Sequence, residues 1–156
     1  MLAAHKREIR MTTPLAAVTD LKVHFPIKKG ILARTVGYVY AVDGISFEIM
    51  PGETVGIVGE SGCGKTTAGM AMVRLTPITS GTVQWKGTDM AAMNRSGLRA
   101  LRRKMQLIFQ DPYSSLNPRM TVRQILSDPM DVHDMFTGRQ RKERIDFLLD
   151  TVGLSP

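Results

Sequence analysis

One run constrains this chain more than any other. Thr54 to Val58, TVGIV, is a short apolar stretch rich in β-branched residues, and it passes directly into the glycine-rich octet GESGCGKT at Gly59 to Thr66. The apolar run has the composition of a strand buried on both faces. From Lys65 to Leu75 the residues favour a helix, with the breaker Pro77 and a Ser80-Gly81 turn after it. Thr82 to Trp85 then reads as the next strand. Strand, glycine loop, helix, strand is an order that builds phosphate sites.

The octet matches G-x-x-x-x-G-K-[ST] and adds a glycine at Gly62. Glycines at 59, 62 and 64 open backbone conformations closed to other residues, so successive amides can turn inward as a nest around phosphate oxygens. The helix start adds its partial positive charge. Lys65 supplies a compact cation for the β- and γ-phosphates, and the Thr66 hydroxyl is placed to complete a magnesium shell. The expected nucleotide contacts are therefore Gly59, Glu60, Ser61, Gly62, Cys63, Gly64, Lys65, Thr66 and Thr67, mostly through backbone. Thr67 is expected to pack or cap. Cys63 stands at a variable place in the loop and is assigned no chemistry of its own.

Composition narrows the class. A chain of 156 residues, 43% hydrophobic and 22% charged, suits one globular domain or part of one. No stretch reaches the roughly 18 to 20 uninterrupted apolar residues of a membrane span. The N-terminal MLAAHKREIR lacks an apolar signal-peptide core, Met11 offers an alternative start, and a cytoplasmic protein is expected. Cys63 is the sole cysteine, so no intrachain disulfide can form, and His5, His24 and His133 stand at no metal-ligand spacing. The net charge of +7 gathers at Lys28 and Lys29, Arg95 to Lys104, and Arg139 to Arg144; the last two clusters fall on expected helices, where such runs form solvated faces.

Along the chain, Leu21 to Phe25 and Tyr38 to Ile49 read as antiparallel strands joined by a loop over Lys28 to Gly37. Ser96 to Lys104 suits a short basic helix leading to a strand at Met105 to Phe109, closed by Gln110. Beyond it, Val122, Ile125 and Leu126 mark one helix that Pro129 ends or kinks, and Ile145, Leu148, Leu149 and Val152 mark another. The expected fold class is α/β: a nucleotide-binding core of the P-loop NTPase type with an N-terminal antiparallel portion, then the start of a helical subdomain, the whole being an incomplete domain. The expected division is a tail over 1–20, a core over 21–109 and a helical portion over 110–156.

Two runs, AVDGISFEIMPGETVGIVGESGCGKTT at Ala41 to Thr67 and MQLIFQDPYSSLNPRMTV at Met105 to Val122, resemble the ATP-binding subunits of ABC transporters, and among them the oligopeptide and dipeptide importer group. The resemblance spans Leu21 to Pro156. It implies that Gln110 reaches magnesium and the attacking water, joining Lys65 as a catalytic residue and Thr66 as a metal contact. It implies an aromatic residue stacked on adenine, a place that Phe25 fits best, with Tyr38 and Tyr40 as rivals. ATP and Mg2+ are the implied ligands. The implied partners are membrane subunits, reached through the segment after Gln110, and a second ATP-binding subunit, identical or different; no direct nucleic acid is expected. The implied location is the cytoplasmic face of the membrane, held there by partners.

The resemblance also places the family's signature segment, its catalytic glutamate and its switch histidine beyond Pro156, so a truncated chain with doubtful turnover is expected. Neither Glu60 nor Asp111 is proposed as a general base. Two alternatives stand beside the transporter reading. One is a nucleic-acid-associated ATPase of the ABC-like group using Arg95 to Lys104 on phosphates; the other is a nucleotide-binding fragment without turnover.

Overall fold

The computed structural model describes residues 13–111 and 115–155, so the N-terminal tail through residue 12 and Pro112, Tyr113 and Ser114 of the run after Gln110 lie outside the described residues. The chain forms two compact units, one through Leu98 and one from Arg99.

In the first unit, strands β1 (Ala16–Lys29) and β2 (Arg34–Ile49) form a long antiparallel hairpin. The connection is shorter than the sequence suggests: the strands continue through most of the expected Lys28 to Gly37 loop, leaving a turn over residues 30–33. Gly30 and Ala33 both take positive φ there, and the Ala33 amide donates to the Gly30 carbonyl at 3.0 Å. That closes a tight reversal, so no longer loop is needed.

Ala16, Val18, Leu21 and Val23 of β1 are buried. The step from Val18 to Leu21 breaks the two-residue alternation, which requires one extra residue in the strand. Asp20, at φ 45°, marks that bulge, and its amide donates to the Ser46 hydroxyl at 2.8 Å in place of a ladder bond. The bulge keeps apolar residues on the core side of both halves of β1.

Strand β3 (Ser80–Trp85) pairs with the other edge of β1, and the two-residue β4 (Thr88–Asp89) pairs with β3, giving the antiparallel order β2-β1-β3-β4. Helix α1 (Lys65–Met72) packs on β1 and β2. Its buried residues are Ala68 and Ala71, whose small side chains allow close approach of helix to sheet. Arg74 holds the next segment by donating to the carbonyls of Met90, at 2.6 Å, and Met93, at 3.3 Å.

The two apolar runs expected as strands at Thr54 to Val58 and Met105 to Phe109 are not strands here. Val58 and Ile108 are almost wholly exposed. Composition supplies β preference, but a strand exists through hydrogen bonds to neighbours. Among the described residues neither run pairs with another strand.

Helix α2 (Arg95–Arg102) carries the boundary between the units and presents Arg99 and Arg102 in its last turn. In the second unit, α3 (Val122–Val132) opens with a reciprocal cap: Thr121 Oγ1 accepts from the Gln124 amide, and Gln124 Oε1 accepts from the Thr121 amide. Pro129 does not end this helix, which runs on to Val132. The proline removes one amide donor to Ile125, while its own carbonyl still accepts from His133 at 3.1 Å.

Helix α4 (Gly138–Thr151) packs on α3 through Ile145 and Leu149 against Met130, with Leu126, Met135 and Leu148 around them. Arg123 pairs with Asp146 and Arg141 with Asp131 at the edges of this contact. The expected stripe is thus present at Ile145, Leu148 and Leu149. Its fourth member, Val152, lies just past the last helical residue and is 70% exposed.

Candidate functional site: the glycine loop before α1

After β2 the chain reverses at Pro51-Gly52, where Gly52 takes φ 77° and the Glu53 amide donates to the Met50 carbonyl at 3.1 Å. The Glu53 carboxylate closes the turn by accepting from the Met50 amide at 2.7 Å. The chain then runs to the octet and enters α1 at Lys65.

Gly64 is the N-cap of α1. It holds φ 93°, and its carbonyl accepts from the Ala68 amide at 2.8 Å. A Cβ at this residue would stand 1.9 Å from the Ala41 carbonyl oxygen and 3.5 Å from Val42. Both the dihedral and the contact therefore demand glycine. Gly62 also takes positive φ, 82°, but with open space around it. A Cβ on Gly59 would meet only the Cys63 thiol, at 2.6 Å.

No side chain caps α1, and no acidic residue stands in its first turn. Its first amides lack helical acceptors by construction, so the helix start presents donors and a partial positive charge. Lys65 adds a full charge at the same place. Its ammonium donates to the carbonyls of Gly59, at 2.8 Å, and Glu60, at 2.6 Å, and reaches the Cys63 sulfur at 3.5 Å. The ammonium is thus folded back across its own loop, tying its two ends together. The Cys63 amide donates to the Glu60 carbonyl at 3.3 Å, which tightens the same bend.

The geometry gathers residues 59–67 around one helix start. Thr66 is exposed, and Thr67 is half-buried. Among the described residues no group of His, Cys, Asp and Glu could hold a metal ion. A magnesium ion that arrives with phosphate needs few protein ligands, since phosphate and water oxygens fill most of its shell, and a threonine hydroxyl is a suitable hard donor.

A cavity of about 330 Å3 opens beside the loop, lined by Tyr40, Val42, Ile57, Cys63, Gly64 and Lys65 among others. Of the aromatic candidates, Tyr40 lines it and rests against the His24 ring, with centroids 4.5 Å apart. His24 in turn bonds Asp43 at 2.9 Å. Phe25, 42% exposed, stands opposite Val39 on the hairpin, and Tyr38 is opposite Pro26. Gln110 belongs to the second unit and is exposed; just after it, the Asp111 carbonyl accepts from the Ser115 hydroxyl at 2.8 Å. Sequence reasoning missed the part played by Ala41. Its contribution is a backbone carbonyl that limits residue 64, and a carbonyl leaves no side-chain signature.

The model of the ABC transporter family matches residues 42–156. Among curated proteins, the oligopeptide transport ATP-binding protein AppF of Bacillus subtilis (strain 168) is 50% identical over 138 residues, which cover 88% of this chain and 42% of that protein. The glutathione import ATP-binding protein GsiA of Escherichia coli (strain K12) is 41% identical over 143 residues, covering 92% of this chain and 23% of that protein. The chain therefore spans less than half the length of these relatives. Among solved structures, the dimeric bacterial ABC transporter cassette MJ0796 superimposes with a TM-score of 0.67 at 21% identity, over 86% of this chain and 54% of that one. A post-hydrolysis form of MJ0796 bound to ADP and Pi gives 0.68 at 22% identity, over 90% and 58%. At such identity the likeness speaks for the fold, an α/β core of the P-loop NTPase type. With the family model covering most of its residues, the chain belongs to the ABC transporter family.

Proposed function

We propose that this chain binds MgATP through residues 59–67 and serves as the energy-coupling ATP-binding part of a transporter that imports peptides or similar small solutes. The observation that carries the reading is the convergence of uncapped helix amides and the Lys65 ammonium on one bend. Triphosphate oxygens are better acceptors than neutral carbonyls for that ammonium, so nucleotide draws it away from Gly59 and Glu60. The relatives named for oligopeptide and glutathione transport support the solute class.

In this reading Thr66 and Gln110 would be the side chains that hold magnesium, and Gln110 would also orient the attacking water. A neutral amide suits that task, because it accepts from water and donates to a phosphate oxygen without adding charge. Phe25 stacks on adenine, unless Tyr40, which lines the cavity beside the loop, takes that place. Hydrolysis belongs to the whole subunit working as a pair with a second ATP-binding subunit. The segment after Gln110 meets the membrane subunits at the cytoplasmic face. Phosphoryl transfer needs charge stabilisation and a positioned water in addition to a phosphate cradle, and residues 59–67 supply the cradle.

Titration calorimetry of the chain with MgATP tests the nucleotide part: Lys65→Ala should lower affinity roughly 100-fold, the loss of about two charge-assisted hydrogen bonds. Unchanged affinity in that variant would remove the reading.

A further inference from the structure

The outer half of the β1/β2 hairpin has no structural partner on the described residues. The pairing of β3 with β1 ends at Lys22, and the His24 amide still donates to the Thr79 hydroxyl at 2.8 Å, so from Phe25 onward β1 is bonded to β2 alone among the described residues. The two strands continue as a free ribbon for roughly 20 Å before they turn. A two-stranded ribbon of this kind buries little, and here it ends in aliphatic side chains: Ile31 is fully exposed and Leu32 is 76% exposed at the turn itself. Val36 follows, more than half exposed.

The charge at this tip has one sign. Residues 25–42 contain Lys28, Lys29 and Arg34 and no aspartate or glutamate. Lys29 and Arg34 stand directly opposite one another across the strands, a like-charge pair that disfavours the hairpin it sits in. Among the described residues none of these cations forms an ion pair. An aliphatic point ringed by unneutralised cations fits a surface that offers anions at its rim and hydrocarbon beneath. Nucleic acid would satisfy the cations but give Ile31 and Leu32 nothing to enter.

We propose that the turn over residues 30–33 is a docking tip for an anionic lipid bilayer, with Ile31 and Leu32 entering the headgroup boundary and Lys28, Lys29 and Arg34 lying among lipid phosphates. Such contacts gain from buried apolar area and from attraction to anionic lipids together. Each cation near the surface contributes about fivefold in affinity, and the effect fades with salt. The tip acts as one weak peripheral contact. It stands apart from the nucleotide reading, since it uses no residue of the glycine loop.

The test is sedimentation of the chain with vesicles of phosphatidylcholine, with and without phosphatidylglycerol. Binding is expected only with phosphatidylglycerol, weakening as salt rises. Ile31→Ser with Leu32→Ser should weaken it about tenfold or more, and Lys28→Glu with Lys29→Glu should abolish it, both with ATP affinity retained as the sign of an intact fold. An Ile31→Trp variant should gain fluorescence that brominated lipids quench. Vesicle binding indifferent to the serine pair would overturn the proposal, as would binding to duplex DNA that matches vesicle binding and ignores the serine pair. Loss of ATP binding in the unsubstituted chain would count against the nucleotide reading alone.

Discussion

The ammonium of Lys65 lies 2.8 Å from the carbonyl oxygen of Gly59, six residues earlier in the chain. That bond, with its neighbour to Glu60, closes the glycine loop on itself and sets the condition for ligand entry. Under the proposed function the cation must leave neutral carbonyls for phosphate oxygens. A compact ammonium with rotatable donors can make that exchange within the bend, whereas a planar guanidinium presents its donors in a fixed fork. Lys65→Arg should therefore keep its charge yet bind MgATP about as poorly as Lys65→Ala, as read by calorimetry. Affinity within threefold or so of the unsubstituted chain would show that charge alone suffices.

The glycines of the loop should not respond alike. Gly64→Ala meets the Ala41 carbonyl and a left-handed backbone together, while Gly62→Ala meets the backbone cost in open space. The second should cost about 1 to 2 kcal/mol, the usual penalty for a side chain in that region, and the first clearly more. Urea unfolding of the two variants checks the order. Equal losses would mean that β2 moves freely away from residue 64.

In the second unit, Ile145→Ala should cost about 2 to 4 kcal/mol, because the side chain is 2% exposed and packs with Met130 and Leu149. Val152→Ala should change stability by less than about 0.5 kcal/mol. Thermal unfolding distinguishes the two, and a comparable drop at Val152 would contradict the packing described here.

The cap of α3 gives an independent local test. Thr121→Ala removes the acceptor for the Gln124 amide and should cost about 1 kcal/mol, whereas Thr121→Ser should cost little. Hydrogen exchange at Gln124 reports it directly. Unchanged protection in the alanine variant would mean the reciprocal bond does not hold the helix end.

What the sequence reveals follows the range of the forces involved. The glycine loop and the start of α1 were legible because residues 59–66 determine their own backbone: glycines permit the bend, and Lys65 opens the helix. The apolar spacing of α3 and α4 is similarly local. The strands expected at Thr54 to Val58 and Met105 to Phe109 were not realised, because a β-branched run becomes a strand only when another strand supplies its hydrogen bonds. The bulge at Asp20 was also invisible, since it answers to Ser46 across the hairpin. The same applies to the Ala41 carbonyl that requires glycine at residue 64. For the candidate site, the loop could be read from the sequence, but the neighbour that shapes it could not.

In the proposed function, recognition at residues 59–67 is recognition of phosphate. Calorimetric titration of the unsubstituted chain with MgATP and, separately, with adenosine measures this most directly. Saturable MgATP binding with adenosine at least about 100-fold weaker is the expected result, since adenosine offers the loop amides and the ammonium no anion. Adenosine binding as tightly as MgATP would contradict the account.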